Sequence, residues 1–273
     1  MSERRFHFIS GLPRAGTTLL AAILNQNPRF RAGMTSPVAD IMGVVVAEAS
    51  SKNDFAFDVT DEQRVALLRG LVENFYSTDP RPEVVFDMSR LWCSRMGLLK
   101  ALFPDVKVIA CVRQLAWVLD SMERLVLKQP VSVSKVFRYD TNTTVYSRVE
   151  ALTDPRGMVG FAYQATKEAF YGENARDHLM LLTYESLVRN PEAALRAVYG
   201  FLGEPWFDHD FDNIEYRADE FDARVGMPGL HVVRAKVEAV ERAPVLPREV
   251  FGRFANEAFW ADPKNNVNQV TIV

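Results

Sequence analysis

The stretch Phe6-His7-Phe8-Ile9-Ser10-Gly11-Leu12-Pro13-Arg14-Ala15-Gly16-Thr17-Thr18-Leu19-Leu20 constrains this chain more than any other. An apolar run meets a short loop bounded by two glycines, and an apolar helical pattern follows. Gly11 and Gly16 stand at the spacing of a phosphate-cradling loop, whose backbone N–H groups turn inward toward an anion. The helix start adds the positive end of its dipole. Thr17 and Thr18 place two hydroxyls there, for capping free N–H groups or for a phosphate oxygen. Nucleotide triphosphatases need a lysine directly after the second glycine to reach the β and γ phosphates. Here that position is Thr17, and the cation has moved into the loop as Arg14. A guanidinium there suits a tetrahedral anion near the first phosphate. The loop therefore fits a nucleotide without a triphosphate tail; the plain alternative is a strand-turn-helix whose glycines only relieve the backbone.

Strand and helix patterns alternate from this loop to about residue 203. Val84-Val85-Phe86-Asp87, Val106 to Val112 and Leu179 to Tyr184 read as buried strands. Helices are expected over 38–49, 61–76 with Asp61 as cap, 92–103, 159–175 and 191–202. Met34-Thr35-Ser36-Pro37 leads into the first of these, and Asp79-Pro80-Arg81-Pro82 closes the second. Residues 132–156 show no clear period. The expectation is a single α/β domain over 1–273, with a P-loop-like central parallel sheet flanked by helices. Residues 203–273 are irregular and acid-rich, and are expected to wrap over the active face. Ligands in such folds lie at the carboxyl ends of the strands.

Composition excludes several classes. A net charge of −3 argues against bulk nucleic-acid binding. No apolar run is long enough to span a membrane. Two cysteines, Cys93 and Cys111, make no disulfide framework. With Met1-Ser2-Glu3-Arg4-Arg5 leading straight into a strand, the expectation is a cytoplasmic protein without a leader. Asp208, Asp210, Asp212 and Asp219 mimic a calcium loop, but Asn213 stands where that loop needs glycine, so no metal is expected.

The glycine loop resembles the 5′-phosphosulfate loop of the sulfotransferases that use 3′-phosphoadenosine 5′-phosphosulfate (PAPS). Val112-Arg113, with Ser121 eight residues on, resembles their 3′-phosphate site. An arginine at a strand end and a serine two turns into the next helix can converge on one phosphate; the alternative pairs Arg113 with Asp120 or Glu123. The protein-tyrosine sulfotransferases and their bacterial relatives are the nearest likeness. Leu182 to Val188, followed by Pro191-Glu192, resembles their element near the nucleotide, which assigns Tyr184 a contact there. Gly229 to Glu238 resembles their covering segment and adds Arg234 and Lys236. The resemblance implies PAPS as donor, PAP as product, a cofactor site of Gly11, Pro13, Arg14, Ala15, Gly16, Thr17, Thr18, Arg113, Ser121, Tyr184, Arg234 and Lys236, and a weak prospect of a homodimer.

Two departures concern catalysis. Thr35 stands where those enzymes place a glutamate base, and Met88 where they place a lysine. Arg14 and the loop amides can stabilise charge in the transition state. For the base the candidates are Asp87, His231 and Asp40, with Asp87 equally able to pair with Arg90 or cap the next helix. The resemblance implies an acceptor hydroxyl on a small molecule or a peptide tyrosine. The alternatives are a P-loop kinase or nucleotide triphosphatase, and a catalytically silent nucleotide-binding protein.

Overall fold

A computed structural model describes residues 4–33, 35–50, 52–79 and 83–273. Met34 at the expected helix entry, Pro80-Arg81-Pro82 at the expected helix end and the first three residues lie outside them. The strands are β1 (Arg5–Gly11), β2 (Phe30–Ala32), β3 (Val84–Met88), β4 (Val108–Val112), β5 (Leu179–Thr183) and β6 (Thr271–Ile272). They form one sheet in the order β2-β3-β1-β4-β5-β6, and every neighbouring pair is parallel. All residues of β3 and β4 are buried. A parallel sheet covered on both faces demands this, because no strand face meets water, and it explains their unbroken apolar sequence.

The helices are α1 (Thr17–Leu24), α2 (Val38–Glu48), α3 (Asp61–Phe75), α4 (Met96–Leu102), α5 (Leu115–Leu127), α6 (Val145–Thr153), α7 (Met158–Tyr171), α8 (Ala175–His178), α9 (Tyr184–Arg189), α10 (Pro191–Leu202), α11 (Asp219–Val225) and α12 (Arg248–Phe254). Pro191 opens α10, and Gly203, at φ +71°, closes it. Proline's fixed φ suits a first helical position, and glycine's freedom suits the left-handed stop. The cap of α3 is Thr60 rather than Asp61: its hydroxyl accepts from Gln63 N–H while the Gln63 side chain accepts from Thr60 N–H. That reciprocal pair satisfies two end donors at once. The stretch without clear period contains α6, likewise opened by a threonine, Thr144. No described helix is long and apolar enough to cross a membrane.

The register brings the carboxyl ends of β1, β3, β4 and β5 to one edge, with Ile9 beside Met88, Gly11 beside Cys111 and Val112 beside Thr183. The residues after Gly203 serve two purposes. Residues 211–214 pair with 235–237 through Ile214 N–H to the Ala235 carbonyl and Val237 N–H to the Phe211 carbonyl. The fully buried Asp120 of α5 then anchors the segment, accepting from the N–H groups of Val245 and Leu246. Beyond that anchor the chain leaves the active face. Trp117 of α5 meets Phe251 of α12 edge-on at 4.9 Å. The C-terminus re-enters the sheet as β6, where Val273 exchanges hydrogen bonds with Thr183 and Leu181 of β5. The expected wrap over 203–273 is thus divided: the final residues cover the edge of β5, whose ladder groups would otherwise stay unpaired.

Candidate functional site

The cavity at the strands' carboxyl edge measures about 250 Å³. Its floor is the loop between β1 and α1. Gly11 sits at φ +110°, and a Cβ there would lie 2.1 Å from the Cys111 carbonyl oxygen. Gly16 sits at φ +94° and ends the loop as the helix N-cap. Only glycine takes these conformations without strain. No side chain caps α1 and no acid stands in its first turn. Thr17 and Thr18 line the cavity without capping the helix. The helix end is therefore open to an anion from the cavity side.

Arg14 departs from expectation. Its backbone is left-handed, at φ +60°, and the side chain leaves the loop. Nε donates to Ser121 Oγ at 3.0 Å and Nη1 donates to the Leu230 carbonyl. The guanidinium assigned to one end of the nucleotide thus touches the serine assigned to the other. Burial, reinforced by the Arg113 charge, draws the Arg14 pKa down to about 10. Ala15 is buried in the core and does not line the cavity, which leaves it only its backbone for any ligand.

Arg113 leaves the end of β4 and lies 4.0 Å above the Tyr184 ring. It donates to the Arg14 carbonyl at 3.3 Å and faces Glu185 at 3.9 Å. Its Nε is buried and makes no hydrogen bond. Neither expected rival holds it: Asp120 pairs with Arg124 and Arg242, and Glu123 with Arg148. Arg242, which the sequence reading missed, lines the same cavity. It lies 3.4 Å from the Asp120 carboxylate, with its Nη2 buried and making no hydrogen bond. Burial and then Arg113 lower its pKa. Nothing in the local sequence marks Arg242, because the Asp120 anchor that delivers it lies 122 positions earlier in the chain. Arg234 and Lys236 reach the mouth but are mostly exposed, paired with Glu238 at 3.6 Å and Asp212 at 2.8 Å. Asp212 is thereby engaged by Lys236, and Asp210 accepts from Asp212 N–H and from Asn213, so the acidic stretch is a self-bonded turn.

The base candidates separate cleanly. Asp87 is 1% exposed and does not line the cavity. Its oxygens accept from Tyr76 OH at 2.6 Å, Trp92 Nε1 at 2.8 Å and the Ser36 hydroxyl. Asp87 is a structural carboxylate that joins β3 to the chain before α2 and to the end of α3, and Arg90 is not its partner. Burial still holds its pKa above the usual carboxylate range, against the pull of those donors. Asp40, in the first turn of α2, does not line the cavity either. His231 does. Its Nδ1 lies 2.6 Å from Asp222 Oδ1, and its backbone N–H donates to Asp222 Oδ2 at 2.9 Å. Asp222, on α11, is 1% exposed. A carboxylate bonded to Nδ1 fixes the ring and leaves Nε2 as the free nitrogen. The sequence reading missed Asp222, which sits on another element nine positions away.

Residues 7–208 match the model of the Sulfotransferase family. A putative protein-tyrosine sulfotransferase of Caenorhabditis briggsae is 26% identical over 203 residues, 71% of this chain and 64% of that protein. Protein-tyrosine sulfotransferase 2 of Gallus gallus is 24% identical over 299 residues, 96% of this chain and 75% of that one. The chain thus spans just under two thirds of the first relative's length. Among solved structures, the sulfotransferase domain from the curacin biosynthetic pathway shares the fold, with a TM-score of 0.54, 17% identity, and coverage of 93% of this chain and 97% of that one.

Proposed function

The chain belongs to the sulfotransferase family, and we propose that it transfers a sulfuryl group from PAPS to the hydroxyl of an acceptor. The observation that carries this reading is the convergence of Arg14, Arg113, Arg242 and Ser121 beside the uncapped start of α1. Among the described residues, three guanidiniums meet only two carboxylates, Asp120 at 3.4 Å from Arg242 and Glu185 at 3.9 Å from Arg113, and two keep buried donor nitrogens making no hydrogen bond, which favours a further anion among them. A bisphosphorylated nucleotide fits that surplus. Ser121, Arg113 and Arg242 would hold its 3′-phosphate; the amides from Arg14 to Thr18 would hold its 5′ end, and Tyr184 supports Arg113 from below.

Bound, the nucleotide supplies the sulfuryl group. The new bond joins the acceptor oxygen to sulfur, and the bond from sulfur to the 5′-phosphate oxygen breaks. His231 Nε2 takes the hydroxyl proton, and Asp222 holds the ring and stabilises the imidazolium that forms. The loop amides at the open start of α1 stabilise negative charge on the departing oxygen. The relatives' names point to tyrosine; a phenol or an alcohol both fit a histidine base. Thr17, where a kinase or triphosphatase carries lysine, disfavours those readings.

Calorimetric titration with PAP tests the reading. Arg14→Ala and Arg113→Ala should each weaken binding at least tenfold, and near-normal affinity in both refutes the nucleotide site. In single-turnover transfer from labelled PAPS, His231→Gln should lower the rate by about 10² to 10⁴ while PAP affinity holds; an unchanged rate refutes the base.

A further inference from the structure

Of the six arginines and lysines that line the cavity among the described residues, five contact another group of the protein. Arg14 bonds Ser121 and Leu230, Arg113 faces Glu185, Arg234 faces Glu238, Lys236 faces Asp212, and Arg242 faces Asp120. Arg90 makes no hydrogen bond and no ion pair among the described residues. It follows the end of β3, two residues after Met88, lines the cavity and is exposed to solvent. Its neighbours in that quarter of the wall, Thr35, Met88 and Ser89, are uncharged. The charge that faces it is Asp40 of α2, which lies beyond ion-pair distance and raises the Arg90 pKa less than burial lowers it. The nucleotide-directed groups come instead from β1, β4, α5 and the covering segment. Arg90 thus stands across β1 from them, where an acceptor would enter.

We propose that Arg90 is an acceptor-binding residue, and that the acceptor carries an oxyanion group, such as a carboxylate, alongside the hydroxyl that is sulfated. A guanidinium binds a carboxylate through two parallel N–H donors, so it orients the acceptor as well as attracting it. Held there, the acceptor's other end turns toward His231 and the loop. This inference rests on the sulfotransferase reading of the same cavity.

The test uses the full chain saturated with PAP and two phenols of one shape, 4-hydroxybenzoate and 4-hydroxybenzamide, with calorimetric detection. The benzoate should bind at least tenfold tighter than the benzamide. Arg90→Gln should abolish that preference and leave PAP affinity within twofold, since Arg90 has no partner in the fold to lose. Failure of the unaltered protein to bind PAP refutes the nucleotide reading and this inference with it. Normal PAP binding with equal affinity for the two phenols, or with neither bound, overturns this inference alone. So does a preference that survives Arg90→Gln.

Discussion

Replacing Asp87 with alanine separates a structural carboxylate from a catalytic one. The substitution strands two buried donors, Tyr76 OH and Trp92 Nε1, and frees the Ser36 hydroxyl. A buried donor left without a partner costs about 1–3 kcal/mol, so two give about 2–6 kcal/mol. Against this, the alanine no longer buries a carboxylate that the raised pKa marks as poorly solvated. The lower half of that range, about 2–4 kcal/mol, is the expected loss. A domain of ordinary stability, about 5–15 kcal/mol, survives such a loss at room temperature and neutral pH. Urea unfolding followed by tryptophan fluorescence, with Trp92 in the affected contact, measures the loss directly. Calorimetry with PAP on the same preparation then checks the site. The expected outcome is a lower urea midpoint with PAP affinity within about threefold of the unaltered protein. Stability within 1 kcal/mol of the original, combined with a hundredfold slower transfer, would return Asp87 to the reaction and refute the structural argument.

Two further outcomes follow from other residues. His7 is 5% exposed in β1, and burial, followed by Arg5 and Lys107, lowers its pKa from 6.5 to about 4. The folded value lies below the unfolded one, so its stabilisation is complete above pH 6.5 and is lost as pH falls toward 4, by about 3 kcal/mol. Denaturant unfolding between pH 7 and 4 should show the decline, and His7→Gln should flatten it in part, because His209 is shifted the same way; an unaltered slope refutes the assignment. Arg242→Ala should weaken PAP binding about ten- to hundredfold, as expected for a lost charge-assisted contact, whereas the exposed Arg234→Ala should change it less than threefold. Calorimetry that reverses this order would place the covering segment's working cation at the mouth.

The glycine loop and the strands β1, β3, β4 and β5 were legible in the sequence because each depends on local chemistry: continuous apolar runs, glycine at left-handed positions, an arginine closing a strand. Ser121 was picked out by the resemblance of its motif with Arg113, and it lines the cavity. Three features were not. Arg242 is a site residue only because Asp120 holds the chain that carries it. Asp222 matters because a short helix folds back onto His231. β6 is two residues long, and its pairing with β5 comes from the ends of two distant stretches. Asp87 misled for a related reason. A carboxylate at a strand end reads as a ligand-side group, yet Tyr76, Trp92 and Ser36, from three separate elements, close around it.

The strand order has a consequence for how such a protein diversifies. β1 divides the sheet into two wings: residues 30–88 supply β2 and β3 as one uninterrupted length of chain, whereas the other wing takes β4 and β5 from residues 108–183 and β6 from residues 271–272. The second wing, together with the glycine turn, carries most of the arginine cluster. The first wing carries Thr35, Met88 and Arg90. With the acceptor placed at Arg90 as proposed, exchange of that single block between homologous proteins would rewrite what is modified while leaving the proposed donor grip untouched, and specificity could drift in one wing without selection ever having to rebuild the other.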